Sequence, residues 1–258
     1  MAQLDQASGL VPNAEYWDTP TVVDRQRTQP YLFWYERELI RRVAADLVER
    51  DVPVRRVHVV GCGPGREVPG VCRAFPEAVV VASDIAPRMV EACAENLVAW
   101  GIADRVLLRC AGAAELRDEG VPAQVVLVLD NVLTYVTPAA ERDETMRAFR
   151  ALLAPGGVLG GVVHHRWGRL TKSAFFLRQE IAGTLGIGRE ERGDRVARME
   201  GMPVRLHYFT RDEVAALLGC ADFGAVEVRS LAELGPEVGR VYHAATGYNN
   251  LVFRARAE

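Results

Sequence analysis

Apolar residues first recur at helical spacing: Leu39, Ile40, Val43, Ala44, Leu47 and Val48 alternate with arginines and acids. This predicts an amphipathic helix from Gln29 or Pro30 to Arg50. From Val54 the period shortens to two, and Val54–Val60 reads as a first strand. Gly65–Phe75 follows as a crossover helix, shortened by Pro69 and Gly70. Ala78–Ser83 is a near-continuous apolar run ending in Asp84, as expected of a parallel strand covered on both faces. Pro87 opens a helix whose stripe of Met89, Val90, Ala92, Cys93 and Leu97 reaches Trp100-Gly101. Arg105–Cys110 and Val125–Leu129 are strands three and four. A helix over 138–153 stops at Pro155-Gly156-Gly157, and Val158–His165 is strand five. This rhythm predicts an α/β fold with a doubly wound, mostly parallel, Rossmann-like sheet.

Residues 166–208 interrupt the rhythm. They are rich in Arg and Gly, carry one helical pattern around Ser173–Leu185, and read as an inserted cap. The rhythm resumes with a helix over Thr210–Leu218, whose Thr210-x-x-Glu213 start is a capping box, and with strands at Ala225–Leu231 and Tyr248–Arg256. Residues 1–20 are polar, contain Pro12 and Pro20, and read as a loose arm. Six aromatics then crowd the N-terminal region: Tyr16, Trp17, Tyr31, Phe33, Trp34 and Tyr35. Either they pack helices onto the sheet, or they form a lid whose rings face a cation. The expected division is an aromatic, helical arm over 1–50 and a Rossmann-like domain over 51–258, with the cap at 166–208.

Composition narrows the partners. A net charge of −3 over 258 residues gives no electrostatic case for a nucleic acid. No apolar run approaches a membrane span, and the N-terminus lacks a signal peptide's basic and apolar regions. Five cysteines, odd in number and without metal spacing, imply reduced thiols, a cytoplasmic location and no metal site. The expected partner is a small molecule.

The chemistry concentrates after the first strand. Gly61-x-Gly63-x-Gly65 sets its third glycine one residue earlier than a dinucleotide fingerprint does. No Walker lysine with its Ser or Thr follows, so a P-loop is excluded. Asp84, nineteen residues after Gly65, ends the next strand. An acid there can accept both ribose hydroxyls of an adenosine; its other role is the N-cap of the next helix.

Four runs carry a family resemblance: Val59-Val60-Gly61-Cys62-Gly63-Pro64-Gly65, Ala82-Ser83-Asp84-Ile85-Ala86-Pro87-Arg88-Met89, Leu129-Asp130-Asn131-Val132-Leu133-Thr134-Tyr135-Val136 and Leu152-Leu153-Ala154-Pro155-Gly156-Gly157. Over about residues 54–165 the chain resembles the class I S-adenosylmethionine (SAM)-dependent methyltransferases, and His207-Tyr208-Phe209-Thr210-x-x-Glu213 is similar to a later segment of many of them. The resemblance implies a seven-stranded sheet with an antiparallel last strand and SAM as cofactor across the ends of strands one, two and four. It sets Gly61, Cys62, Gly63 and Gly65 under the methionine, Asp84 at the ribose, Ile85 on the adenine, and Asn131 and Leu133 at the sulfonium. Ala113, Tyr16 and Tyr31 complete the expected cofactor wall. The implied activity is methyl transfer to a small-molecule acceptor, with Tyr135, His164 and Asn131 as catalytic candidates. His164 and His165 end strand five, where a general base would stand; Asp130 is either a base or a cap. Arg166, Arg169, Lys172 and Arg178 are either a solvated face or, if clustered over the pocket, a sign of an acidic substrate.

Two departures open alternatives. The family's acid two residues before the first glycine, which helps hold the methionine ammonium, is here Val59. The family also often has an acid after strand three that reads the adenine amino group; the corresponding segment, Cys110-Ala111-Gly112-Ala113-Ala114-Glu115, has none at the aligned place. Glu67, Glu115 or backbone carbonyls are the possible substitutes. Without a carboxylate beside it, an ammonium loses its proton more readily, and a neutral α-amine is a nucleophile. A SAM-using enzyme that closes an azetidine ring, or one that transfers the aminocarboxypropyl group, therefore stands as an alternative; both release methylthioadenosine. A SAM-binding pseudoenzyme is a second alternative.

Overall fold

In the computed structural model, which describes residues 9–117, 120–185, 191–242 and 249–258, an N-terminal arm leads into one twisted sheet. The arm carries α1 (Asn13–Trp17), α2 (Pro20–Gln26) and α3 (Trp34–Glu49). The central unit then runs β1 (Arg56–Val60), α4 (Val68–Ala74), β2 (Val79–Asp84), α5 (Pro87–Ala99), β3 (Val106–Cys110), α6 (Ala113–Arg117), β4 (Ala123–Val128), α7 (Ala139–Leu152) and β5 (Leu153–His164). The cap consists of α8 (Leu170–Thr184) and a hairpin of β6 (Asp194–Met199) and β7 (Met202–His207). The chain closes with α9 (Arg211–Gly219), β8 (Phe223–Ser230), α10 (Leu231–Glu237) and β9 (Asn250–Ala257).

The seven-stranded sheet has the order β3-β2-β1-β4-β5-β9-β8. β1 pairs parallel with β2 and β4, while β9 runs antiparallel between β5 and β8. This is the doubly wound architecture that the alternation predicts. The strand order reverses between β1 and β4, where such sheets leave a crevice at the strands' carboxyl ends.

Three apolar clusters hold the layers. On one face, Leu39, Val43 and Leu47 of α3 pack with Val57 and Val59 of β1 and Val71 of α4. On the other, Met146 and Phe149 of α7 and Val214 and Leu218 of α9 cover Val126, Leu159 and Phe253. The third lies outside the sheet: Tyr16, Val22 and Val23 of the arm meet Met89 of α5 and Val204 and Leu206 of the cap hairpin. Arm and cap thus share a small core of their own.

Several sequence expectations need correcting. The stretch read as a loose arm contains α1, and Pro20 is the first-turn residue of α2, where its missing N–H costs nothing. α3 starts at Trp34, not near Pro30, because Glu36 Oε2 accepts the N–H of Phe33 and fixes the first turn there. The first crossover helix is confined to Val68–Ala74. The final strand starts at Asn250; Tyr248 lies outside the described residues. The cap holds a hairpin that the arginine-rich pattern conceals. Its two-residue turn, Glu200-Gly201, has φ of 49° and 78°, as a type I′ turn requires.

Candidate functional site

A cavity of about 720 Å³ opens at the switch point between β1 and β4, within the range of about 300–1,000 Å³ typical of small-molecule sites. Its floor is the glycine turn. Gly61, Gly63 and Gly65 all have positive φ (73°, 50° and 86°). A Cβ on Gly61 would stand 2.5 Å from Val132 Cγ2, and one on Gly65 would stand 2.6 Å from Cys93 Sγ. A Cβ on Gly63 would meet nothing within 4 Å, so at this position the bare backbone faces open space. The turn is tied to the neighbouring strand, because the N–H groups of Gly61 and Cys62 both donate to Ser83 O at 2.8 Å.

Asp84 forms the next part of the wall. Its carboxylate accepts from Gly63 N (2.8 Å) and Ala86 N (3.0 Å), which links the glycine turn to the start of α5. Burial pushes its pKa up, against those two backbone hydrogen bonds. Each oxygen keeps a lone pair for a further donor. Ile85, beside it, is an apolar side chain left exposed on the cavity wall. Ala113 and Leu133 close that end.

Of the residues singled out from sequence, Gly61, Cys62, Gly63, Asp84, Ile85, Ala113, Leu133 and Tyr135 meet on this one cavity. Gly65, Asn131, Tyr16, Tyr31 and His164 do not line it. Asn131 is buried with φ of 63°, next to Asp130 with φ of 52°, a left-handed pair that non-glycine residues adopt only when their surroundings enforce it. Tyr16 is fully buried in the arm–cap core, with its hydroxyl 3.0 Å from Arg25 Nη2. Tyr31 lays its ring over the Arg66 guanidinium, 4.7 Å from carbon to centroid. His164 Nδ1 lies 2.9 Å from Asn250 Oδ1, and its ring stacks on Tyr208; burial lowers its pKa. His165 is held low as well, at about 4, by burial and by the positive charge of Lys172. The basic cap residues do not gather over the cavity. Arg166 is buried between Glu180 and Glu213, and Lys172 donates to His165 O at 2.7 Å.

The cavity also has walls that sequence reasoning missed, Arg66 above all, or named only as open alternatives, as with Glu67 and Asp130. Arg66, directly after the glycine turn, is buried and makes a paired contact with Glu36 of α3 (Nη1–Oε2 2.9 Å, Nη2–Oε1 2.8 Å). Asp130 stands 3.3 Å from Arg66 Nη2, and Phe33 joins Tyr31 over the guanidinium. Glu67 also lines the cavity and is buried. Its carboxylate accepts a hydrogen bond from its own backbone N–H, and no ion pair engages it among the described residues. Desolvation pushes its pKa up to about 8; Arg66 opposes the rise, while Glu36 and Asp130 add to it. Glu115 is engaged elsewhere, accepting from Gly112 N at 3.0 Å.

The arm and cap form the far side. Val11 N donates to Pro203 O (3.0 Å), Asn13 Nδ2 donates to Tyr135 O, and Arg25 pairs with Glu200 in the hairpin turn. Trp17 meets Tyr135 edge-on at 4.9 Å. Burial raises the pKa of the Tyr135 phenol, so it stays protonated and serves as a hydrogen-bond donor. Arg205 of β7 reaches the same wall and pairs with no acid among the described residues. Its only signal in sequence is its alternation with the buried Val204 and Leu206 along one strand.

Comparison with known proteins agrees with this fold. A family model for a methyltransferase domain matches residues 59–159. Trans-aconitate 2-methyltransferase of Methylobacterium radiotolerans is 31% identical over 121 residues, which is 46% of this chain and 42% of that protein, so the match spans less than half of the relative. A SAM-dependent methyltransferase of Methanosarcina mazei shares the fold with a TM-score of 0.61 at 17% identity, over 81% of this chain and 96% of that one. The N-methyltransferase NodS of Bradyrhizobium japonicum, solved with S-adenosylhomocysteine, gives 0.55 at 14% identity, over 92% and 96%. The 1,6-didemethyltoxoflavin N1-methyltransferase of Burkholderia thailandensis gives 0.51 at 20%, over 86% and 80%.

Proposed function

We propose that this chain, whose residues 59–159 are a methyltransferase domain of the class I SAM-dependent family, binds SAM in the cavity and transfers its methyl group to a small-molecule acceptor. One juxtaposition carries the proposal: inside the matched span, a bare glycine backbone, the carboxylate of Asp84 and the exposed Ile85 share a wall at the sheet's switch point. These residues fit SAM. Asp84 has lone pairs free for ribose hydroxyls, Ile85 offers an apolar face for a purine, and Gly63 leaves room for the chain between them.

Bound SAM supplies a methyl carbon activated by an adjacent sulfonium. What the protein adds is position and dryness, which suffice for an in-line displacement. Tyr135 and Trp17 wall the acceptor end, and the Tyr135 phenol donates a hydrogen bond that orients the acceptor. The arm–cap core closes over them and keeps water out. His164 takes no part, since its ring is turned to Asn250 and Tyr208.

The decisive measurement is the nucleoside by-product. Purified protein given SAM and candidate acceptors is expected to release S-adenosylhomocysteine, detected by mass spectrometry. Methylthioadenosine formed from SAM without an acceptor would instead establish the cyclising alternative.

Arg205 supports an acceptor bearing an anionic group. A half-buried guanidinium on a cavity wall, with no acid to pair with, is an anion receptor in waiting. Arg205→Gln should raise the acceptor's KM by about 10-fold or more while leaving the KM for SAM and kcat near their original values. Equal KM for acceptor in both proteins would remove Arg205 from the acceptor site.

A further inference from the structure

We propose that the methyl acceptor is a monoanion with an apolar body, its charged group seated on Arg205 and its body against the N-terminal arm. This rests on, and narrows, the proposal that SAM gives up its methyl group in this cavity. The charges on the wall set the number of anionic groups. Among the described residues the wall has two cations, Arg66 and Arg205. Arg66 is taken up by Glu36 and Asp130, which leaves Arg205 for a ligand. The carboxyl groups of Glu67, Asp84 and Glu141 share the same wall. A second carboxylate on the acceptor would be drawn out of water near these groups with no cation to meet it, which is costly. Helix N-termini do not fill that place. α5 and α7 both begin beside the wall, but Arg88 N already donates to Asp18 Oδ1 (2.8 Å) and Ala139 N to Glu191 Oε2 (3.2 Å). Protein carboxylates thus occupy the anion positions of both first turns.

The arm sets the character of the body. Leu10, Val11, Pro12, Ala14 and Trp17 line the cavity, together with Met89 of α5. Val11 and Trp17 are half-buried: each packs on the cluster shared by arm and cap and also borders the cavity. β7 brings these residues and Arg205 to one end. Val11 N donates to Pro203 O at 3.0 Å, and Pro203 stands two residues before Arg205 on the same strand, so both side chains lie on one face. Trp17 in turn meets Tyr135 edge-on at 4.9 Å. A ligand whose charged group rests on Arg205 therefore lays its remainder along aliphatic and aromatic carbon. Polar groups there would lose water without regaining hydrogen bonds, whereas apolar groups gain by leaving water.

The test is titration calorimetry on protein loaded with S-adenosylhomocysteine, using four probes: phenylacetate, octanoate, citrate and the uncharged methyl ester of phenylacetate. At least one of the two monoanions should bind about 10-fold or more tightly than both citrate and the ester. The tighter monoanion tells an aryl body from an alkyl one. Trp17→Ala should weaken that monoanion about 10-fold and leave S-adenosylhomocysteine affinity unchanged, which also shows that the variant is folded. Leu10→Asn, at a position outside the arm–cap cluster, should act in the same direction without touching that packing. Citrate that binds as tightly as the monoanions overturns the inference. So does an ester as tight as its acid, unchanged monoanion affinity in both arm variants, or S-adenosylhomocysteine binding with no monoanion binding at all. Protein that does not bind S-adenosylhomocysteine overturns the SAM proposal itself, a result separate from the ranking of the probes.

Discussion

Glu36→Ala is expected to destabilise the fold by about 3–5 kcal/mol, the usual result of removing one partner from a buried ion pair. Glu36 is fully buried and its two oxygens meet four donors. Oε1 faces Arg66 Nη2 at 2.8 Å and the N–H of Asp130 at 3.3 Å. Oε2 faces Arg66 Nη1 at 2.9 Å and the N–H of Phe33 at 3.0 Å. Deleting the carboxylate would leave the Arg66 guanidinium buried with the exposed Asp130 as its remaining ion-pair partner, and would release both the first turn of α3 and the left-handed Asp130. Urea unfolding at constant m-value measures the loss. Arg66→Met tests its origin: if an orphaned charge causes the loss, the double variant Glu36→Ala/Arg66→Met will be more stable than the sum of the single effects implies. Strict additivity would mean that Glu36 acts through α3 alone.

The same substitution should reach the ligand site. Asp130 and Asn131 have φ of 52° and 63°, a conformation that costs of order 1–3 kcal/mol per residue unless the surroundings impose it. Glu36 is one of the groups imposing it, through the Asp130 N–H. S-adenosylhomocysteine affinity should therefore fall in Glu36→Ala even at temperatures where the variant is fully folded.

How much of this was legible in the sequence follows from the range of each signal. The glycine turn, Asp84 and the strands around them were readable because their physics is local: a β-branched run, a turn that only glycine fits, an acid at a strand end. The cap hairpin was not. Its strands alternate Val196 with Arg195 and Val204 with Arg205, but Arg198, Pro203 and a Glu-Gly turn dilute the period-two pattern. α10 was missed, and its first residue was read into the strand at Ala225–Leu231: its Ser230-x-x-Glu233 start forms a capping box, but it is only seven residues long and lies between two strand signals. The Glu36–Arg66 pair was invisible for another reason. In sequence, Glu36 is one of many charges on an amphipathic helix, and nothing in the pattern of α3 says that its partner lies thirty residues on. Glu67 stands in the sequence as one of several possible substitutes for a missing acid; only the cavity shows that it is buried there. Non-local electrostatics decided the chemistry of the site, and periodicity carries no record of it.

Asp84→Ala is expected to give the largest loss of ligand affinity, about 100-fold or more for every adenosine-bearing ligand. Charged hydrogen bonds contribute about 1.5–3 kcal/mol each, and in the proposed SAM site Asp84 accepts from two ribose hydroxyls while it also fixes Gly63 and Ala86. The cost to stability should be modest, because the freed Gly63 N–H borders the cavity and can be hydrated. Asp84→Asn should fall between, since its amide can serve one of the two backbone N–H groups and must turn a donor toward the other. The pattern across ligands is the informative part. Asp84→Ala should weaken SAM, S-adenosylhomocysteine and methylthioadenosine alike, because all three share the adenosine. A variant of Asp84 that kept its affinity for methylthioadenosine would detach the carboxylate from the ribose and place the adenosine elsewhere in the cavity.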